Sequence, residues 1–91
     1  MRDVALAHGI DMFVLATGGS DLADTEALHL AATITDDNCH PVWACQDMLT
    51  VDIAPGQGAQ NVNGHLHLAE APGLGVHPDE NLLGDPVAVY S

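Results

Sequence analysis

The sequence predicts an α/β fold with parallel strands, and three observations point there. Helical and strand-like segments alternate through the first half with short connections, the cadence of a parallel sheet. Ile10 to Ala16 is an unbroken apolar run holding Met12, Phe13, Val14 and Leu15, which suits a strand buried on both faces. Asp21 onward carries Ala23, Ala27, Leu30, Ala31 and Ile34 at helical spacing, one apolar stripe whose small residues permit close approach to a sheet.

The elements follow in order. Met1, Val4, Ala5 and His8 fall at helical spacing, and Gly9 stands where a left-handed C-terminal cap belongs. Thr17-Gly18-Gly19-Ser20 is a turn, and Ser20 or Asp21 can cap the next helix. Asp21, Asp24 and Glu26 lie in its first turns, where acids complement the helix dipole. Thr35 to Asn38 ends this element, and Pro41 to Cys45 reads as the next strand, with Trp43 in its core. Asp52 to Asn63 is rich in Gly, Pro, Gln and Asn and reads as an irregular excursion. Val62 to Leu68 alternates apolar and polar residues, as a surface strand does. Pro72-Gly73 suits a type II turn, and Asn81 to Ser91 reads as extended or marginally helical.

Composition narrows the function classes. A chain of 91 residues allows one modest domain. Thirteen acids stand against Arg2 alone, for a formal charge of −12 with no lysine. Such a surface repels phosphate backbones and anionic membranes, which argues against nucleic-acid and lipid partners. It also fits a protein working in concentrated salt, where self-repulsion is screened. Cys39 and Cys45 make no disulfide framework and match no common zinc spacing. No run approaches the ~18 apolar residues of a membrane span, and the first residues lack the apolar core of a signal peptide. The expected location is cytoplasmic.

One stretch is more specific. Ala71-Pro72-Gly73-Leu74-Gly75-Val76, then Asp79-Glu80, then Gly84-Asp85-Pro86-Val87 resembles the C-terminal signature of the enolase superfamily, of the mandelate racemase and muconate lactonizing type. Val62-Asn63-Gly64 precedes it at a fitting distance, and Asp21 to Ala32 is similar to the helix after the seventh barrel strand. Among subfamilies the sequence most resembles the hydroxyproline-dehydratase and betaine-epimerase-like branch. The resemblance implies a partial (β/α) barrel. Residues 1–54 would hold the end of helix six, strand seven (Ile10 to Ala16), helix seven and strand eight (Pro41 to Gln46), and residues 55–91 an irregular C-terminal return towards a capping domain. A whole barrel needs ~250 residues, so Met1 would match an internal position of a full-length relative.

Members of this family remove a proton α to a carboxylate, with magnesium stabilising the enediolate and lysine, histidine or acids moving the proton. The resemblance implies racemisation, epimerisation, cycloisomerisation or dehydration of a small carboxylate. It places the metal ligands and lysine bases on strands outside this chain, so no metal ligand is expected here and the chain alone is expected to be inactive. Its partners would be the missing N-terminal part or another copy of itself. What remains are the C-terminal ends of two strands, where barrel enzymes place their sites. Thr17 and Gly18 at one end and Gln46 at the other are candidate substrate-binding residues, and Asp47 is the candidate catalytic acid. A surface loop acid is the plainer reading of Asp47.

Other groupings carry blander readings. Gly18-Gly19 before a helix can hold an anion on free N–H groups, but a tight turn is the simpler account. His65 and His67 share a strand face and would need to converge with Cys39, His40 or Cys45 to bind zinc. Cys45 reads as a small buried hydrophobe. A second function class stays open, a small acidic binding or structural module without catalysis, and a small zinc protein is a third.

Overall fold

The computed structural model describes residues 1–91, the side chain of Gln46 excepted. In chain order it forms α1 (Arg2–Ala7), α2 (Asp21–Ala31), a 3-10 turn (Gln46–Met48), β1 (Gln60–Val62), β2 (His65–His67) and α3 (Glu80–Leu83). Helix α1 ends as its glycine predicts. Gly9 takes φ 63°, while Gly9 N–H donates to Leu6 O at 3.1 Å and Ile10 N–H to Ala5 O at 3.0 Å. That pair of bonds is the Schellman arrangement, which satisfies carbonyls the helix leaves free.

The expected parallel pairing is present as two isolated bridges, Met12 with Cys39 and Leu15 with Trp43, and not as a regular ladder. Met12 N–H donates to Asn38 O and His40 N–H to Met12 O, both at 2.8 Å. Farther along, Trp43 N–H donates to Val14 O at 3.1 Å and Ala16 N–H to Trp43 O at 3.2 Å. Between the bridges, residues 12 to 15 face residues 39 to 43, so the second segment holds one extra residue. Pro41 lies in that interval and has no N–H to give a ladder. The extra residue also shifts the alternation of side chains, so that Cys39 and Val42 both pack against the core.

Burial of the first segment is one-sided, which corrects the expectation of a strand covered on both faces. Val14 and Ala16 are buried, but Ile10, Phe13 and Leu15 are exposed. Trp43, expected in the core, is 49% exposed. Helix α2 keeps part of the stripe read in the sequence buried, with Ala31 and the following Ile34 in the core and Ala27 packed against them, and it buries a second face as well. Asp21, Asp24, Thr25, Leu28 and Ala31 are buried, whereas Leu30 lies exposed. Ser20 is the N-cap, yet its side chain makes no capping bond.

Helix α2 has two packed sides. Val14, Ala31 and Ile34 form one cluster with Leu6, Met12, Ala27, Cys39 and Val42 around it. Against the other side lies the irregular excursion, where Thr25 Oγ1 accepts Ala59 N–H at 3.0 Å and Ala54 and Ala59 are buried, as is Val76 farther along the chain. A glycine is required at position 58. Its φ is 75°, and a Cβ there would lie 2.7 Å from Thr25 Oγ1. Gln57 then ties the excursion to the next segment, its side chain accepting His77 N–H at 3.0 Å and donating to His77 O at 3.1 Å. Asp79 N–H donates to Ile53 O at 2.7 Å.

The regular sheet is an antiparallel hairpin, β1 with β2, in register Gln60–His67, Asn61–Leu66 and Val62–His65. Its turn is Asn63-Gly64, both at positive φ (53° and 83°), the pairing that a two-residue hairpin favours. Thus the last residues of the expected excursion are strand, and the expected surface strand is one arm of the hairpin. Gly73 takes the positive φ that the Pro72-Gly73 turn calls for. Asp79 caps α3 by accepting Asn81 N–H at 2.9 Å. Among the described residues no helix is long and apolar enough to cross a membrane.

The molecule is open for its size. Its radius of gyration is 15.0 Å, against about 12 Å for a compact chain of this length. Its accessible surface is 6646 Å², where a folded monomer of 9.5 kDa would show about 5,000 Å². Much of the excess is apolar and includes Ile10, Phe13, Leu15, Trp43 and Val87.

Candidate functional site

The two extended segments end side by side. Ala16 is the last residue of the first to bond across, through its N–H to Trp43 O. Its carbonyl receives the Cys45 thiol at 2.8 Å. Thr17 and Gly18 follow Ala16 directly, and Gln46 and Asp47 follow Cys45 directly. The two groups of candidate residues therefore leave neighbouring strand ends.

They do not share one cavity. Thr17 lines a hollow of 290 Å³ with Leu15, Ala16, Ala23, Glu26 and Ala27. Asp47 lines another of 270 Å³ with Val42, Trp43, Ala44, Asn61, Gly64 and Leu66. Both Thr17 and Asp47 are exposed, as is Gly18, which holds the turn at φ 70°. The side chain of Gln46 lies outside the described residues. Gly19 packs so near α2 that a Cβ would strike that of Ala23, so the glycine pair serves close packing of turn on helix.

Two buried acids of α2 do more than complement its dipole. Both carboxylate oxygens of Asp24 accept Cys45 N–H, at 3.1 and 2.9 Å. Asp24 is 2% exposed and Cys45 4%. Asp21, also buried, keeps one oxygen (Oδ2) with no partner among the described residues. Burial pushes its carboxyl above the ordinary aspartate value, the neighbouring Asp52 carboxylate adds to this, and Asp24 raises it further, while the backbone N–H of Asp21 acts the other way. Sequence reasoning missed the Asp24–Cys45 contact, and the available signal was an acid at helical spacing with the buried Leu28 and Ala31 rather than on the solvent face.

The histidines and cysteines do not converge. Among the described residues no group of three or more His, Cys, Asp or Glu side chains could hold a metal ion. His40 pairs with Asp11 at 3.3 Å on the surface, and His65 and His67 stand exposed on β2. Magnesium therefore finds no ligand set among the described residues.

No protein-family model matches the chain. Individual proteins do. It is 38% identical over all 91 residues to a cis-3-hydroxy-L-proline dehydratase from Roseibium aggregatum, spanning 24% of that protein. Among solved structures it is similar to one assigned to the mandelate racemase/muconate lactonizing enzymes from Silicibacter pomeroyi, at 79% identity and TM-score 0.94, covering 99% of this chain and 25% of that one. It is also similar to an enolase-superfamily member from Roseovarius nubinhibens, solved in complex with magnesium, at 46% identity and TM-score 0.93, covering 98% of this chain and 24% of that one. The chain thus spans about a quarter of the length of these relatives.

Proposed function

Because the chain is enolase-superfamily sequence of the mandelate racemase/muconate lactonizing type along its whole length, we propose that it is the C-terminal part of a metal-dependent isomerase or lyase acting on a small carboxylate. In that reading residues 1–54 supply the last two strands and helices of a (β/α) barrel, and residues 55–91 return towards the capping domain. Thr17, Gly18, Gln46 and Asp47 edge the substrate site at the C-terminal face of the strands. Asp47 is the one carboxylate among them and takes the role of proton acceptor. With no lysine present and no metal-holding group among the described residues, catalysis requires the remainder of the barrel.

The observation that carries this reading is the full-length match to one quarter of such enzymes, and the large exposed apolar surface agrees with it. The same surface disfavours a self-contained acidic module, which would bury Phe13, Leu15 and Trp43. The test uses the 91 residues alone and joined to the other three quarters of the Roseibium aggregatum dehydratase. Each is assayed with cis-3-hydroxy-L-proline and magnesium. Turnover is expected only in the joined protein, and Asp47→Asn is expected to lower its kcat/KM at least tenfold. Turnover by the short chain alone would overturn the division of labour; a joined protein that folds but stays inert would overturn the substrate class.

A further inference from the structure

We propose that Asp24 is a positioning residue that fixes the Cys45–Asp47 strand end against the Ala16–Gly18 end. The proposal rests on the reading of those two ends as the edge of the substrate site. Its basis is one continuous set of hydrogen bonds. Backbone pairing between the extended segments stops at Trp43 and Ala16, and the next acceptor in register, Ala16 O, takes the Cys45 thiol, which leaves the Cys45 N–H without a backbone partner in the pairing. Asp24 supplies the acceptor instead, with both oxygens at 3.1 and 2.9 Å. On the far side of the same residue, the Cys45 thiol donates to Ala16 O at 2.8 Å. Helix, second segment and first segment are thereby joined at a point one residue from Thr17.

The physics favours a local role. An ionised acceptor makes a shorter and stronger bond than a neutral one. Asp24 projects from the first turn of an eleven-residue helix whose Leu28 and Ala31 are buried, so its backbone is a fixed reference. Motion at Cys45 passes directly to Asp47, because Met48 N–H closes the intervening 3-10 turn on Cys45 O at 3.0 Å. A side chain that only stabilised α2 would have no such connection to the strand end.

The two cysteines provide the test, since Cys45 is buried and Cys39, on the same segment, is half-buried. N-ethylmaleimide labelling of the full 91-residue chain is followed at each cysteine by peptide mass spectrometry. In the wild type Cys45 is expected to react more slowly than Cys39. Asp24→Asn keeps the size and one acceptor oxygen but loses the charge. It is expected to speed Cys45 labelling about tenfold and to leave Cys39 within about twofold. Equal acceleration at both cysteines would show that Asp24 merely supports the fold, and no acceleration would show that the contact constrains nothing. Equally fast labelling of both in the wild type would also overturn the proposal. Because no turnover is read, an inert joined enzyme would overturn the substrate class while leaving this result standing.

Discussion

Thr25→Val isolates one hydrogen bond at the seam between α2 and the irregular excursion. Thr25 is wholly buried, as are Ala54 and Ala59, and its Oγ1 accepts Ala59 N–H at 3.0 Å. Valine has nearly the same shape, so the exchange removes the acceptor while filling the space. A buried N–H left without a partner costs about 1–3 kcal/mol. Thr25→Ser is the reference: it keeps the acceptor and loses one methyl, worth about 0.8 kcal/mol. For a chain of this size about 1 kcal/mol moves Tm by about 4–8 °C. Taking the middle of that range, about 2 kcal/mol, valine is expected to lower Tm by about 8–16 °C and serine by about 3–6 °C, measured by circular dichroism. The Ala59 amide should also exchange faster in the valine variant alone. A valine variant that melts with or above the serine variant would refute the assignment, because packing and not the hydroxyl would then hold the seam.

Two further outcomes follow from the structure. Asp21 has its carboxyl raised in the fold, chiefly by burial and then by Asp52, so the folded state holds a proton that the unfolded state releases. Its stabilising share is complete below pH 3.8, the unperturbed value, and is lost as pH rises through the folded value. Asp21→Asn is expected to raise Tm at pH 7, with the gain shrinking towards pH 3.8; an equal gain from exposed Asp36→Asn would mean that net charge alone is responsible. Phe13 is 52% exposed beside Ile10 and Leu15, and Phe13→Ser should weaken self-association in sedimentation with little change in Tm. Unchanged association would remove this face from any contact between copies.

How far the sequence could be read depended on whether a signal was local. Gly9 announced the end of α1 because a left-handed residue closing a helix is a backbone requirement. Asn63-Gly64 carried an equally local hairpin signal, yet the glycine-rich composition around it masked the turn. Helix α2 was legible as a helix, and Ala27, Ala31 and Ile34 of its apolar stripe do reach the core, but its second buried face was not legible. That face carries Asp24 and Thr25 because Cys45 and Ala59 bring backbone N–H groups that need acceptors, together with the buried Asp21. That demand arises some 20 to 34 residues away along the chain and leaves no periodic trace. The one-sided burial of Ile10 to Ala16 was hidden for a different reason. An apolar run reports what the chain is suited to contact, not whether the contacting surface is part of the same 91 residues. For the site, the order of residues located both strand ends, but the Asp24–Cys45–Ala16 connection needed three dimensions.

The extra residue near Pro41 sets the phase in which every later side chain of its segment points. Side chains alternate between faces along an extended chain, so a shift of one position exchanges inside for outside. Here the shift places Val42 inward with Cys39 and leaves Trp43 turned out over the hollow it shares with Asp47. Losing one codon between Cys39 and Val42 would reverse that assignment, turning tryptophan towards a cluster built for valine. Insertions and deletions at this spot should therefore be rarer among related genes than substitutions, and those that survive should come in pairs that restore the count.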